Sequence, residues 1–135
     1  MIRLIVGKKG SGKTKELIDS ANSAIAKAKG HVVCIEKGPQ MMYNLDVKAR
    51  LINVDDYRIE NYDAMYGFIA GILAANYDVT DIFVDGIFKT VGKDTKRTVS
   101  MAQQLQKLTN DEVNVTFTVS CDASELPEAA KEFIK

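Results

Sequence analysis

The stretch RLIVGKKGSGKTKELI, residues 3–18, joins a short apolar run to a helical pattern through a corner holding three glycines and four lysines. Ile2, Leu4, Ile5 and Val6 make a compact apolar run that Gly7 ends, which predicts a buried strand. Beyond the corner, Leu17, Ile18, Ala21, Ala24, Ile25 and Ala28 recur at helical spacing, and Gly30 closes that pattern. The most flexible and most positive residues of the chain therefore sit at one strand-to-helix junction.

Within the corner, GKKGSGKT sets Gly7, Gly12, Lys13 and Thr14 in the spacing Gly-x-x-x-x-Gly-Lys-Thr. Each residue type has a physical task in holding phosphate. Glycines at 7, 10 and 12 permit torsions and close approaches that side chains block. The loop N–H groups then converge on one concavity, and the following helix adds its N-terminal N–H groups and positive dipole end. Lys13 is placed to reach the β- and γ-phosphates, and the Thr14 hydroxyl to ligate Mg²⁺. The candidate binding set is Gly7, Lys8, Lys9, Gly10, Ser11, Gly12, Lys13 and Thr14, with the ammonium groups of Lys8, Lys9 and Lys15 facing solvent.

Outward from this corner, HVVCIE (31–36), RLINV (50–54), DIFVDG (81–86) and VNVTFTV (113–119) read as further strands. Between them lie a helix capped by Asn61 or Asp63 and running to about Tyr77, and another capped by Asp94 with Val99, Ala102, Leu105 and Leu108 on one face. Residues 37–49 read as a loop with a short helical turn, and IFKTVGKD (87–94) as a loop. A last helix is expected from about Ser124 or Glu125 to Ile134, burying Leu126, Ala129, Ala130 and Phe133. Strands alternating with helices over one domain, 1–135, predict an α/β fold: a three-layer α/β/α arrangement with a mainly parallel five-stranded sheet and the phosphate loop after its first strand.

Composition excludes several classes. Lys plus Arg number 18 and Asp plus Glu 18, so no general attraction to nucleic acid or membrane is expected. The two cysteines, Cys34 and Cys121, read as reduced core residues, and one histidine without a CxxC makes a zinc site unexpected. No apolar run approaches a bilayer span, and MIRLIVG is too short for the apolar part of a signal peptide, so the expected location is the cytoplasm.

DIFVDG supplies a second candidate element. An apolar strand ending in Asp85 offers a carboxylate at the carboxyl end of a parallel strand, where ligands of such sheets bind. With both elements, the chain resembles the P-loop NTPase superfamily over its whole length. The resemblance implies ATP and Mg²⁺ as ligands, Lys13 and Asp85 as catalytic groups, and Thr14 and Asp85 as metal ligands. Many ATPases of that superfamily follow the metal-orienting Asp with Glu, whereas Gly86 follows here. A recombinase and rotary-ATPase branch puts its catalytic Glu on a neighbouring strand, which makes Glu36 the candidate to orient water, with Asp55 and Asp56 as rivals.

Residues 41–86 are also similar to small single-domain bacterial ATP-binding proteins, some labelled twitching-motility ATPases. SGKTKELI is similar to the start of bacterial-type thymidine kinases, but the chain lacks their zinc segment and their Glu after the Asp. The expected function is a Mg-dependent ATPase or nucleotide-dependent switch. The alternatives are a nucleotide-sensing module without turnover and a small-molecule kinase. Arg97, Lys96, Lys89 and Arg58 are the candidates for completing charge neutralisation, with a neighbouring subunit or protein partner as another source. SCDAS after the fifth strand lacks the guanine-reading Asn-Lys-x-Asp pattern, which favours ATP over GTP. Residues 120–127 lie where a base can rest, and Tyr43, Tyr57 and Tyr62 are candidates to stack on it.

Overall fold

The apolar alternation of the strands divides their side chains between two cores. In the computed structural model, which describes residues 1–27, 30–41 and 43–134, five strands form one sheet in the order β1-β5-β4-β2-β3. These are β1 (Ile2–Gly7), β2 (His31–Glu36), β3 (Arg50–Asn53), β4 (Val79–Val84) and β5 (Asn114–Ser120). Every neighbouring pair is parallel. The fold is α/β, as the alternation of strand and helix patterns predicts.

One face of the sheet carries Leu4 from β1, Val33 and Ile35 from β2, Ile82 and Val84 from β4, and Val115, Phe117 and Val119 from β5. Helices α2 (Tyr62–Ala75) and α4 (Thr95–Thr109) cover it with Met65, Ile69, Val99, Ala102 and Leu105. The intervening residues Ile5, Val32, Cys34 and Phe83 join a smaller core with Leu17, Ile18 and Ala21 of α1 (Lys13–Lys27). Each fully buried Leu, Ile or Phe contributes about 1.5–3 kcal/mol of transfer free energy. Ala28, expected on the buried face of α1, lies outside the described residues.

Caps set several boundaries. The Asn61 side chain accepts the Ala64 N–H at 2.8 Å and starts α2, and Asp94 accepts the Arg97 N–H at 3.0 Å and starts α4. The α2 helix stops at Ala75 because Asn76 is extended, so Tyr77 is 99% exposed rather than helical. Leu108 sits at the rim of the α4 seam, half out of the core, while Thr98 and Thr109 are buried in it. Strand β3 ends one residue early, because Asn53 caps a single 3₁₀ turn, Val54–Tyr57.

Two segments differ in type from the sequence expectation. Residues 87–94 contain a short helix, α3 (Ile87–Val91), which buries Ile87 and Thr90. The last segment is not an α-helix but two 3₁₀ turns, Ala123–Glu125 and Glu128–Glu132. Pro127 lies between them; the residue before a proline is driven to extended torsions, and Leu126 has φ −87 and ψ 148. The segment still buries Leu126, Ala130 and Phe133, but Ala129 is exposed. It also covers the β1 edge, where the Leu4 N–H donates to the Phe133 carbonyl at 2.8 Å. Among the described residues no helix is long and apolar enough to cross a membrane.

Candidate functional site

The glycine-rich corner turns on residues that need unusual torsions. Gly10 and Gly12 have φ of +84° and +87°. An L-residue at either position is disfavoured by about 1–2 kcal/mol. Gly7 is needed for space: a Cβ there would lie 2.5 Å from Ser11 Oγ. The loop closes on itself through the Ser11 N–H, which donates to the Lys8 carbonyl at 3.1 Å. Helix α1 then begins at Lys13, so its first-turn N–H groups lack partners within the helix and open towards the loop.

Lys13 is buried, and its ammonium group donates to the Lys8 carbonyl at 3.0 Å. Thr14, on the first turn of α1, donates its hydroxyl to the Asp85 carboxylate at 3.1 and 3.2 Å. These two side chains are 71 residues apart in sequence. The Asp85 N–H extends the sheet ladder by donating to the Ile35 carbonyl at 2.9 Å, which fixes the residue just past β4. Its carboxylate, 8% exposed, also accepts the Thr118 hydroxyl at 2.8 Å. Thr118 in turn accepts the Gly86 N–H at 2.6 Å. Asp85 is thereby aimed from two sides.

A cleft of about 750 Å³ opens at this end of the sheet. The β1 side supplies Lys9, Gly10, Gly12, Lys13 and Thr14. Asp85, Gly86, Phe88 and Lys89 come from β4 and α3, with Thr118 and Ser120 from β5 and Gln40 from the loop after β2. Lys8 is exposed, and Lys15, at the cleft rim, pairs with Asp19 at 2.8 Å. Thr14 and Asp85 offer hard oxygen donors side by side. Among the described residues no three His, Cys, Asp or Glu side chains gather as a metal cage. That donor set fits Mg²⁺, which keeps several waters and takes one or two protein oxygens together with phosphate oxygens.

Glu36 ends β2 one step beyond the Ile35–Val84 register pair, beside Asp85. It is 2% exposed, and its two oxygens accept the Met41 N–H at 3.1 and 3.2 Å. Burial raises its pKa above the ordinary value; the Met41 and Gln40 N–H groups oppose this, the Asp85 charge adds to it, and Lys89 opposes it. Next to it, burial pushes the Cys34 thiol up to about 12, with the Glu36 charge contributing. Cys34 therefore stays a neutral core thiol, as does the buried, unpaired Cys121.

The rival carboxylates stand elsewhere. Asp55 pairs with Lys37 at 2.6 Å, and Asp56 is exposed on the same 3₁₀ turn. Arg97 pairs with Asp63 at 3.0 Å and lies 5.6 Å over the Tyr62 ring. The Tyr62 hydroxyl is committed to the Gly92 carbonyl at 2.7 Å and to Thr98 at 2.9 Å. Tyr57 packs on Phe68, and Tyr43 is exposed, so none of the three tyrosines lines the cleft. Of residues 120–127, only Ser120 lines it, although the bridge between Gly7 and Cys121 sets this segment beside the glycine-rich loop.

Thr118 and Gln40 were not singled out from sequence. The Thr118 role depends on β5 lying beside β4, with Phe117 opposite Val84, a pairing of strands distant in sequence. The sequence matches no model of a known protein family, and no curated protein matches it at a significant level.

Proposed function

We propose that the cleft binds ATP with Mg²⁺ and that the protein is a Mg-dependent ATPase or nucleotide-driven switch, built on a three-layer α/β/α phosphate-loop fold. The single observation carrying this proposal is the Thr14–Asp85 bond beneath a loop whose Gly10 and Gly12 adopt positive φ. A hydroxyl at a helix start and a carboxylate at a strand end, both hard oxygen donors, meet beside a buried lysine and a set of unspent N–H groups.

In this proposal the loop and first-turn N–H groups bind and orient the phosphates. Lys13 exchanges the Lys8 carbonyl for β- and γ-phosphate oxygens. Thr14 and Asp85 would hold Mg²⁺, and the ion would supply neutralisation of phosphate charge. For hydrolysis, a water oxygen bonds to the γ-phosphorus while its bond to the β,γ-bridging oxygen breaks. ADP and inorganic phosphate leave, and a proton is released. Glu36 is the candidate to orient that water, a role that requires its carboxylate to leave the Met41 N–H. The absent guanine-reading pattern favours ATP over GTP.

A second function, nucleotide sensing without turnover, is favoured by Gly86 directly after Asp85 and by the engagement of Glu36. A kinase has less support, since residues 37–49 and 87–93 are short for a substrate lid. Phosphate release from Mg-ATP by the purified protein and by Lys13→Ala separates these functions. An ATPase shows turnover that the variant loses, whereas a sensor binds ATP without releasing phosphate. Turnover equal in both proteins overturns the assignment of catalysis to this loop.

A further inference from the structure

Building on the nucleotide site proposed above, we infer that Lys89 contacts the terminal phosphate and lets the cleft distinguish a nucleoside triphosphate from a diphosphate. Four basic residues compete for such a role by sequence. Arg97 is held by Asp63 at 3.0 Å, and neither it, Lys96 nor Arg58 lines the cleft, whereas Lys89 does. Among the described residues the Lys89 ammonium group makes no hydrogen bond or ion pair. Glu36, the carboxylate beside Asp85, feels the Lys89 charge.

Helix α3 is what delivers it. Gly86, with φ of +71°, turns the chain directly from Asp85 into α3, and Lys89 follows on its first turn. A Cβ at Gly86 would lie 3.6 Å from Lys89 Cβ and 4.0 Å from its Cδ, so the lysine stem runs over the glycine. The position that follows the metal-orienting Asp thus carries no side chain, and the stem of a cation occupies the space beside it.

The placement also selects the phosphate. Lys13 enters from the β1 side of the cleft and Lys89 from the β4 side, with β5 between those strands. The glycine-rich loop belongs to the phosphates nearer the nucleoside as well as to the terminal one. A cation on the opposite side, next to the carboxylate that orients Mg²⁺, meets the end of the phosphate chain. It adds to the positive charge of Mg²⁺ and Lys13, on the side of the cleft where Asp85 stands. A triphosphate recruits Lys89 and a diphosphate leaves it in solvent.

The test is equilibrium titration of the full chain with fluorescent N-methylanthraniloyl ATP and ADP in Mg²⁺, on the wild type, Lys89→Met, Lys89→Arg and Lys15→Met. Lys89 is exposed, so its replacement leaves the fold intact, and a melting curve checks this. Loss of a charge-assisted contact lowers ATP affinity about tenfold or more in Lys89→Met and changes ADP affinity less than about twofold. Lys89→Arg retains most of the preference for ATP. Lys15→Met removes an equal charge from the cleft rim and shifts both nucleotides together, by less than about twofold. An unchanged ATP-to-ADP ratio in Lys89→Met, with both nucleotides still bound, overturns the Lys89 assignment alone. Absence of binding to the wild type overturns the nucleotide site and the Lys89 assignment together.

Discussion

Two loops leave the carboxyl ends of β1 and β2 at the same rim of the sheet, and they hold their shapes by opposite means. The loop after β1 is held by its backbone: Gly10 and Gly12 take torsions open to glycine, and the Lys8 carbonyl gathers both the Ser11 N–H and the Lys13 ammonium group. The loop after β2 is held by side chains. Glu36 accepts the Met41 N–H, Met41 and Leu45 are buried in the smaller core, and Asn22 of α1 bonds the Asn44 carbonyl and the Asp46 N–H. The second loop carries its own anion, Glu36; the first lines the cleft with Lys9, Gly10 and Gly12. In the proposed reading the side-chain-held loop is structural and the glycine-held loop is the binding element.

That contrast can be attacked from either loop. The largest effect is expected from Gly12→Ala, which forces an L-residue to φ of +87° at a strain of about 1–2 kcal/mol. Relief of the strain reshapes the cradle, so ATP affinity falls at least about tenfold while urea denaturation shows only the modest destabilisation. Equal ATP affinity in the variant would mean that the glycine torsions do not shape the site.

Glu36→Ala comes next. It leaves the Met41 N–H buried without its acceptor, at a cost of about 1–3 kcal/mol, lowered in part by relief of repulsion from Asp85. Hydrogen exchange should quicken at Met41 and its neighbours while the amides of β5 stay protected. Uniform quickening across the sheet would show that the Glu36 bond serves the whole fold rather than one loop.

The smallest effect is the pH response of Glu36→Gln, which keeps a carbonyl acceptor for Met41. The folded-state pKa of Glu36 is raised above 4.5, chiefly by burial. Its protonated form therefore adds stability that is fully present below the unfolded value and lost as pH rises through the folded one. Wild type and variant should converge in stability below the ordinary value of 4.5 and diverge as pH rises above it, the variant being the more stable. A gap that widens towards acid contradicts the assigned environment.

The site was partly legible in the sequence because its first half is local. Gly7, Gly10, Gly12, Lys13 and Thr14 lie within eight residues, and the positive φ of Gly10 and Gly12 is written in residue type. Asp85 was legible because an apolar strand led into it. Thr118 and Gln40 were not, since each reaches the cleft only through the strand order β1-β5-β4-β2. Helix α3 escaped notice because five residues are too few to display a helical period. The last segment misled in the opposite direction: Leu126, Ala130 and Phe133 are spaced as on a helix, and they are buried, but Pro127 breaks the backbone between them.

The most direct test of the central claim is calorimetric titration of Mg-ATP into the wild type and Lys13→Ala. In the proposed reading Lys13 exchanges the Lys8 carbonyl for phosphate, and its ammonium group sits 3.0 Å from that oxygen. A phosphate-binding loop predicts saturable one-to-one binding by the wild type, weakened about tenfold or more in the variant. No binding by the wild type, or equal binding by both proteins, would contradict it.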